Sequence, residues 1–335
     1  MNIKSDTLLN TDVSDLSPAI AVPSHRPLPS PNMTTLYWQV FKNLEREFQE
    51  LADTIYINDA QQEVYSMKIA DLLIRTVIEI EALAKEFYLA NEGPVLPDEN
   101  MYFDTVCMNH LNGLWKLDAK VVQVVSPNVY FDREENKVLR PLHKAHKRGT
   151  SSSDWNKAYQ AVKHNRVKEL SKGSIKHFLH GLAALYLLNL YYKDEQLNNL
   201  SEKDKGLVDR SFGSSLFAIK LHSISGLSVD GTYNKKVDYD ECTYIIDYEP
   251  NSKDRAIDAM KEMNDYINNQ ALLELERLMR EKAANGEIPT QEWVDQMRSQ
   301  AIKNALPIKD YKLGKRFTDG LNGLLFNAVL NKQQY

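Results

Sequence analysis

The sequence predicts a mainly α protein: a four-helix bundle with a small β excursion, followed by an α+β C-terminal region. Two observations carry this. Apolar residues recur at three- and four-residue steps over several long stretches, the period of a helix with one buried face. β-branched runs bounded by turn residues are few and short. The chain has 335 residues, 43% hydrophobic and 26% charged, a composition that excludes global disorder. The length suits two domains, or one domain with a large extension.

Residues 1–34 read as a disordered tail, with Pro18, Pro23, Pro27, Pro29 and Pro31 in a stretch rich in Ser, Thr, Asn and Asp. The bundle is expected over 35–195. Its first helix carries Tyr37, Val40, Phe41, Leu44, Phe48, Leu51 and Ile55 as one stripe. A second helix is expected over 60–91, capped by Asn58 or Asp59 and stopped by Gly93-Pro94. On it Glu81 and Lys85 form an i,i+4 pair. A third helix is expected over 99–117. At 120–131 the period changes: a β-branched run, the turn signal Ser126-Pro127-Asn128, then Val129-Tyr130-Phe131. This predicts a small hairpin or extended excursion. A helix then starts at Ser153 or Asp154 and closes at Lys163-His164-Asn165-Arg166. The next, over 172–192, is apolar round much of its circumference and is expected at the centre.

The region 196–335 reads as an α+β extension. Residues 194–211 are charged and linker-like. Two strands are expected at 215–222 and 242–248, with Gly226, Gly231 and Asn234 as turn residues between them. Ser252 starts a long helix that reaches Asn285-Gly286. Thr290 caps a shorter helix ended by Pro307, and 317–329 reads as a last helix. No internal repeat is visible.

Charge is distributed unevenly. The net charge is −5, so bulk charge does not mark a nucleic-acid binder. Over 137–180, however, eleven Lys and Arg stand against Asp154 and Glu169, and His143, His146, His164, His177 and His180 lie there too. Such a segment is suited to a phosphate backbone, or else it is a solvated basic face paired with acids elsewhere in the chain.

Several chemistries find no motif. GxSxG, HExxH and dinucleotide fingerprints are absent. Cys107 and Cys242 have no Cys or His at metal-ligand spacing and point to a reducing compartment. His177 and His180 lack a third ligand, and Asp238, Asp240 and Glu241 read as turn acids. No apolar run approaches the roughly 18–20 residues that cross a bilayer. The expectation is a cytoplasmic protein without membrane association, metal or cofactor.

A long helix bearing Glu81 and Lys85, a later helix ending in Trp155…Tyr159…Lys163-His164-Asn165-Arg166, and an apolar helix directly after it together resemble the HEPN superfamily. These are four-helix bundles of prokaryotic defence and toxin systems, and the likeness covers roughly 60–195. The resemblance implies a bacterial or phage-associated defence or toxin protein and a homodimer with RNA as partner. It also implies metal-independent RNA cleavage, with a His moving protons and an Arg holding phosphate. By placement His164 matches the family's His. The family's Arg, four to six residues upstream, is missing, and Lys163 and Arg166 are the flanking substitutes. Arg140 and His146 match the spacing literally but lie in an expected loop. Lys157, Lys168, Lys172, Lys176 and His177 complete the expected phosphate-binding set. The alternative is a non-catalytic module in which 137–180 binds a nucleotide, a nucleic acid or a protein.

Overall fold

Helix begins earlier than expected, at a proline that fits the first helical turn. The computed structural model describes residues 31–224, 233, 235–306 and 308–335; the tail expected at 1–34 lies, up to residue 30, outside them. The turn residues Gly226, Gly231 and Asn234, and the helix-ending Pro307, also lie outside. Helix α1 (Pro31–Ala52) buries Phe41, Leu44, Phe48 and Leu51. Strand β1 (Ile57–Asn58) comes next. Asn58 is a turn residue rather than a cap: its side chain accepts from the Ala60 N–H at 2.8 Å. Helix α2 (Met67–Ala90) therefore starts later than predicted, and its cap is Ser66, which accepts from the Ile69 N–H.

The single helix expected over 99–117 is broken. A π-helical turn, Phe103–Met108, leads into α3 (Asn109–Trp115), which ends at Lys116 in the left-handed region (φ 50°). Of the two alternatives expected at 120–131, the extended excursion forms and the hairpin does not. Strands β2 (Val122–Val124) and β3 (Val129–Tyr130) do not pair with each other; β3 runs parallel to β1. Strand β2 lies between β4 (Val138–Leu139), which follows the short α4 (Glu134–Lys137), and β6 (Phe217–Ile219).

Helix α5 (Asp154–Glu169) is interrupted at Asn165, whose backbone leaves the helical region (φ −148°, ψ 67°). Helix α6 (Ile175–Lys193) is central, as its composition demands: it is buried almost throughout and packs on α1, α2 and α5. The expected linker at 194–211 contains β5 (Leu197–Leu200) and the short α7 (Glu202–Lys205). After β6 come β7 (Leu221–Ser223) and β8 (Tyr244–Tyr248), which pair in parallel. Helix α8 (Pro250–Ala284) is long and mostly exposed, and α9 (Gln291–Ala305) and α10 (Tyr311–Asn322) pack on it. The helix expected over 317–329 stops near Gly323. Phe326–Leu330 is instead strand β9, burying Phe326, Ala328 and Leu330 in the two-residue alternation of a strand.

Strand β9 sits inside the four-stranded sheet, whose order is β5-β9-β8-β7. Residues on both sides of position 195 share one apolar core, which contains Leu185 and Tyr191 as well as Phe217, Tyr244 and Leu330. Buried Glu45 reinforces the junction by accepting from the Ser215 and Leu216 N–H groups and the Ser214 hydroxyl. The fold is mainly α. Among the described residues no helix is long and apolar enough to cross a membrane.

Candidate functional site

One face of α5 carries Asn156, Lys157, Gln160, Lys163 and His164, at steps that bring them to a single side of a helix. That side lines a cleft of about 730 Å³. Glu81 and Lys85, one turn apart on α2, form part of the opposite wall. Met101, Tyr102, Phe103 and Asp104 enter through the start of the π-helical turn, and Arg148 to Ser152 close one end. Single π-helical turns are common where side chains must be re-aimed at a site.

Lys163 donates to the Tyr159 hydroxyl at 3.1 Å and lies over its ring. That hydrogen bond raises the Lys163 pKa, so it is a fixed cation at neutral pH. Burial pushes the Tyr159 phenol up. The Arg148 guanidinium stands 4.0 Å from the centre of the Tyr102 ring and 3.9 Å from the Asp104 carboxylate. Asn156 is buried, with its amide N–H bonded to the Ser152 hydroxyl at 2.8 Å; its Oδ1 has no partner within the protein. Lys157 pairs with Asp154 at 2.6 Å, and that hydrogen bond holds the Asp154 carboxyl low.

The residues expected to bind phosphate divide. Lys157, Lys163 and His164 line the cleft. Arg166 does not. Past the break at Asn165 it turns to α2 and pairs with Asp71 at 2.9 Å. Lys168 and Lys172 also follow the break and do not line the cleft. Lys176 lies 3.6 Å from Glu63. His177 donates to the Lys172 carbonyl at 2.8 Å and touches Ser174, which fixes the turn into α6; burial lowers its pKa. Arg140 pairs with Glu241, and His146 is half-buried with its Nδ1 unpartnered; neither lines the cleft. Much of the basic segment is thus neutralised by acids from elsewhere in the chain.

Sequence reasoning missed Arg148 and Asn156. Arg148 was one of eleven cations with nothing to single it out, and Asn156 looked like an ordinary first-turn residue.

A second polar cluster shares no residue with the cleft. Strand β7 lies against β8 and brings His222 beside Cys242, with Asp238 between them; among the described residues these three form one group of metal-ligating type. Buried Lys120 stands near it, its Nζ without a hydrogen-bond partner among the described residues, and burial draws its pKa down to about 7.

No family model matches the chain, and neither a curated protein nor a solved structure matches it.

Proposed function

We propose that the protein is a HEPN-like RNA endonuclease of defence or toxin type, working as a cytoplasmic homodimer. One observation carries this reading. The residues behind the resemblance, Glu81, Lys85, Lys163 and His164, line one cleft, and Arg148 joins them there. Arg148 supplies the cation that the sequence lacked upstream of His164. In this reading the neutral His164 imidazole takes the proton of a ribose 2′-hydroxyl. The 2′-oxygen attacks the adjacent phosphorus, the bond to the 5′-oxygen breaks, and solvent protonates that oxygen. Arg148 and Lys163 hold the phosphate oxygens as charge builds on them. Phe103 and Met101 give a base an apolar wall. The products are a 2′,3′-cyclic phosphate and a 5′-hydroxyl.

The test is total RNA incubated with purified protein in EDTA. Wild type should leave cyclic-phosphate ends, and His164→Ala should slow cleavage about 10²–10⁴-fold, the usual worth of a general acid–base group. Intact RNA from both proteins ends the enzymatic reading.

The absence of an Arg four to six residues before His164 favours a second reading, a module that binds without cleaving. It predicts RNA or nucleotide retained intact, with affinity falling steeply as salt rises.

A further inference from the structure

The parallel pairing of β7 with β8 sets His222 opposite Ile245. Cys242 lies just ahead of β8, and Asp238 precedes the single 3-10 turn Tyr239–Glu241 that leads to it. The donor atoms of His222, Asp238 and Cys242 all fall within 4.8 Å of one another. His222 Nδ1 and Asp238 Oδ1 are already 3.5 Å apart. Zinc bonds of about 2.0–2.3 Å to N, O and S, set tetrahedrally, require donors about 3.3–3.8 Å apart. The cluster needs only a small contraction.

Its donors are positioned for a metal, and binding displaces the Lys220 ammonium that stands 3.9 Å from Asp238. His222 and Cys242 are buried, at 4% and 0% exposure. A surface collection of acids would not bury its imidazole and its thiol. His222 bonds through Nε2 to the Tyr233 hydroxyl, which fixes the ring and leaves Nδ1 facing Asp238. Metal-bound imidazoles are normally held in this way through their other nitrogen. The Cys242 thiol donates to the Asp238 carbonyl at 3.2 Å, a bond that a metal on Sγ replaces.

We propose that His222 Nδ1, Asp238 and Cys242 Sγ bind a zinc-class divalent cation. Water takes the fourth position, on the side where Asp238 meets solvent. Binding exchanges the thiol proton, which goes to solvent, for the metal bond. One carboxylate and one thiolate balance the dication. The cation ties β7 to the turn that starts β8. The site shares no residue with the RNA cleft, so it stands or falls separately from the proposed cleavage.

The test uses the full chain, stripped with a chelator and titrated with cobalt(II) as the probe. Wild type should bind one equivalent, with a thiolate-to-cobalt charge-transfer band in the near ultraviolet that added zinc abolishes. Cys242→Ser should lose the band and Cys107→Ser should keep it. Tyr233→Phe leaves all three ligands in place and should weaken cobalt binding about 10–100-fold, the range for partners that orient a ligand. It answers the question even where a ligand variant fails to fold. A wild type without the band, a band that survives Cys242→Ser, or a Tyr233→Phe affinity equal to wild type overturns the proposal.

Discussion

The cleft and the β7–β8 cluster both gather histidine, carboxylate and cation, by opposite means. In the cleft one face of α5 supplies Asn156, Lys157, Gln160, Lys163 and His164. At the cluster the side chains come from segments at positions 120, 222, 238 and 242, and burial decides their state. Burial alone would raise the Asp240 pKa, but hydrogen bonds from Lys116, Lys235 and Gln333 hold it to about 2. Cys242 is pushed up to about 12 by burial, and Lys120 is drawn down to about 7. A helix face can be assembled by local periodicity. A cluster assembled by strand pairing has to wait for the fold.

The sharpest way to break this contrast is to move a cation across the cleft boundary. Arg148→Gln should lower single-turnover RNA cleavage about 10²-fold, the usual cost of losing a donor to developing charge. Arg166→Gln should change it by no more than about threefold, since Arg166 is paired with Asp71 outside the cleft. Equal losses would show that the break at Asn165 does not bound the site.

On the cluster side the change should appear in stability. Lys120→Met removes a buried, unpartnered ammonium and keeps the apolar stem. Metal-free protein carrying it should gain about 1–3 kcal/mol in urea unfolding at neutral pH, as replacing buried charge with apolar groups commonly gives. A loss of stability would mean that Lys120 has a partner the apo protein needs.

The smallest effect lies on α6, beneath the basic segment. Burial lowers the His180 pKa from 6.5 to about 4. Between those values the unfolded chain takes up a proton that the folded chain refuses, so stability falls as pH drops through this window. His180→Gln should flatten that acid limb, sparing about 1 kcal/mol between pH 7 and pH 5.5 at about 1.4 kcal/mol per pKa unit. Thermal unfolding across this range measures it; parallel curves for the two proteins would refute it.

Legibility followed the same divide. The central α6, the long α8 and the Thr290 cap of α9 could be read because period and capping are local. Lys163 and His164, read as the end of a helix, lie on the face of α5 that lines the cleft. Strand β9 was taken for helix because a five-residue apolar run fits either period until its neighbours are known. The expected hairpin failed because β2 finds its partners at Leu139 and Ile219 rather than across the nearby turn. Arg166 lies outside the cleft, and nothing in Lys-His-Asn-Arg announces that Asn165 leaves the helix. His222 and Cys242 are twenty residues apart, and only strand pairing makes them neighbours.

The position of β9 has a consequence for how the protein is made. Strands β5 and β8 each pair with it, yet three helices, α8 to α10, are synthesised between β8 and β9. A nascent chain therefore carries two strands with open edges, and Tyr244 and Ile246 uncovered, until Phe326–Leu330 arrives. Unpaired edges of that kind recruit other chains. Stalled translation products ending within α9 should accordingly be aggregation-prone and chaperone-bound, while the finished protein is neither.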